Sequence, residues 1–133
     1  MKKISVLFLL ILLPRLVVSG EIDYYKISEA SSARIEKILV RYFRIYGEPC
    51  ANIQILNSKN WEAVETKRIC ELNGLSLDSE VADAYFSNPQ FSNEGVHIQL
   101  SITPLEPVGE QKKACLIPIR DKQIGAIECA DID

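Results

Sequence analysis

The chain has 133 residues, 47% of them hydrophobic and 25% charged, with four cysteines and a single histidine. A length like this supports one domain with a modest core. The formal net charge of −3 argues against a general polyanion binder, so nucleic acid is not an expected partner.

Residues 1–20 read as a removable export signal. Lys2 and Lys3 precede an apolar run from Ile4 to Leu13, Pro14 breaks the run, and Val18-Ser19-Gly20 supplies small residues for cleavage. The run is far shorter than the roughly 20 residues a membrane span needs, and no later stretch is apolar for long enough. Lys2, Lys3 and Arg15 leave with the signal, so the 15 basic residues fall to 12 against 18 acidic ones, a net charge of −6. The expected organisation is therefore a signal peptide over 1–20 and one small domain over 21–133, periplasmic or secreted.

Ser28 to Gly47 is read as an amphipathic helix. Ile35, Ile38, Leu39, Tyr42 and Tyr46 recur at helical spacing, Ser28 suits the N-cap, Gly47 suits the C′ position and Pro49 prevents continuation. On such a helix Arg34, Lys37, Arg41 and Arg44 would form a basic ridge on an otherwise acidic protein, a docking surface for an acidic partner. Cys50 to Asn57 alternates Ile53 and Ile55 with Asn52 and Gln54, which predicts a half-buried strand.

Trp61 to Leu72 carries two competing signals. Its composition favours a helix, with Trp61, Val64, Ile69 and Leu72 on one face, whereas Asn73-Gly74 between Leu72 and Leu75 is a hairpin signal. Helix is the reading adopted, with Trp61 in the core. Asp78 to Phe86 is expected to be a short helix ended by Asn88-Pro89, and Asn88 to Gly95 a mobile loop in which Phe91 is a candidate anchor. Val96 to Thr103 alternates strictly and predicts a strand. Pro104 and Pro107 bracket a loop, and Lys113 to Arg120 pairs with Ile124 to Ala130 over a three-residue turn, with Pro118 calling for an edge or a bulge.

That register sets Cys115 across from Cys129, within disulfide range, and leaves Cys50 to pair with Cys70 around a second short loop. Two disulfides fit the oxidising compartment that an export signal implies. The expected fold is α+β: the N-terminal helix packed on an antiparallel sheet of about four strands, with one or two short helices and both disulfides.

Catalytic motifs are scarce. His97 stands alone on the polar face of a strand, with no nucleophile elbow and no C-x-x-C or H-E-x-x-H motif beside it. Acidic groups such as Asp78, Glu80 and Asp83 or Asp131 and Asp133 lack a calcium-loop pattern, and a two-carboxylate hydrolase is the one enzymatic reading left. No metal or cofactor is expected. The sequence reads as a non-enzymatic exported accessory factor that binds another envelope or secreted protein, such as a component of a secretion or pilus apparatus. The alternative is an inhibitor or immunity protein that inserts Asn88 to Gly95 or Pro104 to Glu110 into a hydrolase or toxin. Arg34, Lys37, Arg41, Arg44 and Phe91 are the candidate contacts, and the oligomeric state is left open.

Overall fold

The stretch expected to be the organising helix is a β-hairpin. In a computed structural model, which describes residues 22–132, strands β1 (Ile27–Ile35) and β2 (Ile38–Ile45) pair antiparallel about a turn at Glu36-Lys37. Glu36 takes a positive φ of 55° there. The signal-peptide reading of 1–20 lies outside the described residues. The physical reason for the difference is composition: Ile38, Val40, Tyr42, Phe43 and Ile45 are β-branched or aromatic and lose side-chain freedom in a helix. Val40 and Tyr42 face the main core, while Leu39 and Phe43 are buried on the opposite face. A strand buried on both sides has no period of two, and its apolar positions imitate a helical stripe.

The fold is nearly all β, which corrects the α+β expectation. The first sheet has the order β1-β2-β3-β4, with β3 at Ala51–Leu56 and β4 at Ala63–Ile69. A two-stranded hairpin follows, β5 (Glu71–Leu72) and β6 (Leu75–Ser76), turned by Asn73 and Gly74 at φ 51° and 82°. Both central residues at positive φ give the turn that Asn-Gly favours. So the dipeptide, not the helix-forming composition of Trp61 to Leu72, reports the local structure. Trp61 is 59% exposed and not in the core.

The second sheet comprises β7 (Val81–Ser92), β8 (Gly95–Pro104) and β9 (Gln111–Arg120), with β10 (Gln123–Ile124) and β11 (Glu128–Asp131) sharing the far edge of β9. The stretch from Asp78 to Phe86, expected to be a helix, is the turn after β6 followed by the start of β7. Asn88-Pro89 marks a bulge in that edge strand, where Asn88 takes φ 53° and Pro89 has no N–H to lose from a ladder. Asn88 to Gly95 is accordingly strand and tight turn, not an open loop. Val96, Ile98, Leu100 and Ile102 are all buried, as their alternation predicts.

Residues of both sheets share one hydrophobic cluster, including Val40, Tyr42, Ile53 and Ile55 from the first and Phe86, Val96, Leu100 and Ile117 from the second. Two antiparallel sheets facing each other across a common core make a β-sandwich. Side chains of β4 also clasp β10: the Glu65 carboxylate accepts from the Ile124 amide at 3.2 Å, and Lys67 Nζ donates to the Gly125 carbonyl at 3.0 Å. Inward-pointing charges of this kind protect an edge strand from pairing with foreign strands.

Both disulfides join residues directly opposite on neighbouring strands. Cys50–Cys70 continues the β3–β4 ladder and Cys115–Cys129 lies within the β9–β11 ladder, with Cα separations of 4.5 and 4.0 Å. The Cys115–Cys129 register is reached differently from the expectation. The turn has two residues, Asp121 and Lys122, both at positive φ, and pairs Gln123 with Arg120. A break at Gly125 to Ile127 then slips the strand by one residue and restores Cys129 to its place opposite Cys115. Pro118 faces this break: its carbonyl accepts from the Gly125 amide at 2.7 Å, and since proline has no N–H to return the bond, the Gly125 carbonyl accepts from Lys67 Nζ instead.

Tyr42 is fully buried in the shared core, and its hydroxyl has no hydrogen-bond partner among the described residues. Burial pushes its phenol well above the usual range, nearby Glu29 adds to the rise, and Arg44 opposes it. The raised value favours the neutral form in the folded state, so this contribution is intact below pH 10 and is lost as the pH climbs beyond it. Tyr42→Phe removes an unsatisfied group at nearly constant shape. It is expected to hold or raise stability by about 1 kcal/mol at pH 7 and to flatten the alkaline decline, read from urea midpoints at pH 7 and 10.5.

Candidate functional site

The basic ridge does not assemble as a helix would align it. Strand geometry sends successive side chains to opposite faces, so the β1–β2 register keeps Arg34 and Arg41 on one face of the first sheet and turns Arg44 to the other. Arg34 is exposed near the end of β1, and Lys37 is exposed in the β1–β2 turn. Arg41 lies on the outer face of the first sheet, where its Nε and Nη2 donate to Gln54 Oε1 at 3.0 and 2.6 Å. Its guanidinium stacks 5.9 Å from the rings of both Tyr24 and Phe43. Arg44 faces the other way and pairs with Glu29 at 3.2 Å. Arg41 and Arg44 are thus committed to internal structure. Phe91 packs against the hydrophobic cluster as a half-buried side chain, which suits it to support and not to anchoring.

Cys50, Cys70, Cys115 and Cys129 are all consumed as disulfides, with no free cysteine among the described residues. His97 does have a neighbour: Ser92 Oγ lies 2.7 Å from its Nε2. Glu94 Oε2 approaches the same nitrogen at 4.0 Å. A Ser–His–acid relay requires the acid on the other ring nitrogen, so this trio is not one. Ser92 Oγ also accepts from the Glu94 amide at 3.1 Å, and the group is best described as the brace of the β7–β8 turn.

The most site-like feature lies at the other end of the sandwich, where β8 ends at Pro104. The β5–β6 hairpin and the β8–β9 loop enclose an open cleft of about 470 Å³, within the usual range for a binding pocket. Its floor is Leu72, Val81 and Ile102, and its walls include Leu75 and Leu105. Leu105 is 70% exposed and Val108 60%. The loop that carries them is tied back to β8 at its far end and braced within. Ser101 Oγ donates to the Glu110 carboxylate, and the Val108 amide donates to the Glu106 carbonyl at 2.8 Å. Gly109 supplies the positive φ of 81° that the return requires. On the facing side, the Ser76 hydroxyl accepts from the Asp78 and Ser79 amides at 3.3 and 3.2 Å and so fixes the turn after β6.

A second, smaller cleft of about 330 Å³ lies on the other side of the start of β7, between Gly47-Glu48-Pro49 and Asp78 to Ala84. Val81 lines both clefts. The register of β7 shifts between Val81 and Asp83, a bulge beside both clefts. The loop of the larger cleft is the Pro104 to Glu110 segment that sequence singles out. The hairpin opposite it goes unseen once Asn73-Gly74 is read as a helix cap.

No protein-family model, curated protein or solved structure matches the chain. Among the described residues no helix is long and apolar enough to cross a membrane.

Proposed function

We propose that this chain is a non-enzymatic exported factor that binds another envelope or secreted protein, of the kind that supports a secretion or pilus apparatus, and that it binds at the cleft end. The observation that carries this reading is the pair Leu105 and Val108. Two aliphatic side chains are held out to solvent on a braced loop beside an apolar cleft, where burial by a partner would stabilise them by about 1.5–3 kcal/mol each. A rigid, disulfide-tied scaffold loses little entropy on binding, which favours a protein partner over a transient contact.

A photo-crosslinking residue in place of Val108 is expected to give one discrete adduct in the producing cell. Adding Leu105→Glu should reduce that adduct at least tenfold. The same crosslinker in place of Glu62, in the β3–β4 loop at the opposite end, should give none. Equal labelling from both positions, or none from either, would remove the cleft from consideration. The projecting loop also fits the alternative of an inhibitor or immunity protein. In that case the mature protein, but not its Leu105→Glu variant, blocks a cell-wall hydrolase or toxin at stoichiometric concentration.

A further inference from the structure

The charge around the clefts is one-sided, and from it we infer that the partner segment seated there is cationic as well as apolar, an inference that rests on the cleft reading above. The hairpin and turn from Glu71 to Asp83 carry Glu71, Asp78, Glu80 and Asp83 with no lysine or arginine among them. The loop adds Glu106 and Glu110, again with no cation, and all of these residues are exposed. Few cations stand at this end: Arg68 pairs with Glu48 at 2.9 Å, Lys113 beside the larger cleft pairs with Asp131 at 2.5 Å, and Lys112 is exposed next to Glu110 at the start of β9, so acidic residues still outnumber basic ones there. Glu71, Asp78, Asp83 and Glu106 have no ion-pair partner among the described residues.

The opposite end of the sandwich is different. There Lys37, Lys59, Arg120 and Lys122 are interspersed with Glu36, Glu62, Glu94 and Asp121, so its local charge balances. The acidic bias is therefore a property of the cleft end and not a mere share of the net charge. Carboxylates without counter-ions around an apolar floor raise the local concentration of cations and penalise anionic partners.

The two clefts set the pattern of the occupant. The larger is apolar at Leu72, Leu75 and Ile102 and takes an aliphatic side chain. The smaller is lined by Asp78 and Asp83, neither ion-paired among the described residues, beside the Arg68-paired Glu48, and takes a lysine or arginine. Because Val81 divides them, an extended segment crossing the start of β7 places neighbouring side chains on either side of it. A segment mixing leucine-like and lysine-like residues meets both.

The test uses the mature protein and three fluorescent probes: a ten-residue peptide alternating Lys with Leu, one alternating Glu with Leu, and one alternating Lys with Ser. Anisotropy titration at 50 mM salt is expected to show binding of the Lys–Leu peptide, with the other two at least tenfold weaker. Asp78→Asn with Asp83→Asn should weaken the Lys–Leu peptide at least fivefold, as should 500 mM salt, which cuts the screening length to a few ångströms. Removing the same charge elsewhere, by Glu62→Gln with Glu128→Gln, should leave it within twofold. Equal binding of the Lys–Leu and Glu–Leu peptides, both lost with Leu105→Asp, would overturn the cationic partner and keep the cleft. Equal effects of the two charge-removing pairs would reduce the affinity to bulk attraction and overturn it also. Failure of every peptide to bind would count against both readings.

Discussion

Replacing Cys50 and Cys70 together by alanine is expected to cost about 3 kcal/mol of stability, and removing both disulfides about twice that. The loops they close span sequence separations of 20 and 14 residues, so the chain-entropy contributions are similar. Domains of this class are stable by only about 5–15 kcal/mol, so the variant without either bridge should be largely unfolded at 37 °C. The two single-bridge variants should differ in function more than in stability. Cys70 immediately precedes the β5–β6 hairpin, and its carbonyl accepts from the Leu77 amide at 2.9 Å. Loss of Cys50–Cys70 therefore loosens one wall of the larger cleft. Loss of Cys115–Cys129 frees β11, which lies along the far edge of β9. Urea midpoints and Lys–Leu peptide affinities for the two variants make the comparison. Matching falls in stability with matching falls in affinity would contradict the assignment of the cleft wall.

Cysteine positions were the most legible feature because covalent geometry leaves few solutions. Once Cys115 must sit opposite Cys129, a register follows, whatever turn delivers it. The structure reaches that register through a two-residue turn and a compensating slip at Gly125, a route that counting residues does not distinguish from a three-residue turn. The alternation from Val96 to Thr103 was equally plain, since β8 buries one face and leaves the other more open. The first hairpin was not legible. β2 buries Leu39 and Phe43 on one side and Val40 and Tyr42 on the other, and a double-faced strand and an amphipathic helix share the same run of apolar residues. The helical ridge of Arg34, Lys37, Arg41 and Arg44 fell with that helix, although the β1–β2 register still leaves Arg34 and Arg41 on one sheet face. The Pro104 to Glu110 loop kept its meaning because Pro and Gly mark a loop irrespective of what flanks it. Its partner hairpin was hidden by good helix formers such as Glu62, Lys67 and Glu71, whose intrinsic preference amounts to a few tenths of a kcal/mol each. A single bridge to Cys50 outweighs that sum.

Gly95→Ala is expected to destabilise the fold by about 3 kcal/mol or more, well beyond the average substitution. Gly95 opens β8 opposite Pro118 with φ at 143°, a conformation that residues with a side chain rarely adopt. An added Cβ would also run into the Ile117 carbonyl and come within 2.9 Å of Ile119 N and Pro118 Cα. All three atoms belong to the backbone of β9, so relief requires the strands to part. Parting them breaks the bond from the Ile119 amide to the Glu94 carbonyl, 3.0 Å long, and disturbs the buried pair Val96 and Ile117 just beyond. Gly109 is the control. It also has a positive φ, 81°, but a Cβ there meets nothing within 4 Å. Gly109→Ala should therefore cost only the conformational term, about 1 kcal/mol. Equal shifts in urea midpoint for the two variants would show that φ alone, and not the close approach of β8 to β9, sets the demand for glycine. The pair also separates folding from binding. Gly95 lies at the end of β8 remote from the cleft, so its alanine variant, kept below its unfolding transition, should bind the Lys–Leu peptide unchanged. Gly109 shapes the loop that presents Leu105 and Val108, and its milder variant is the one expected to lose affinity.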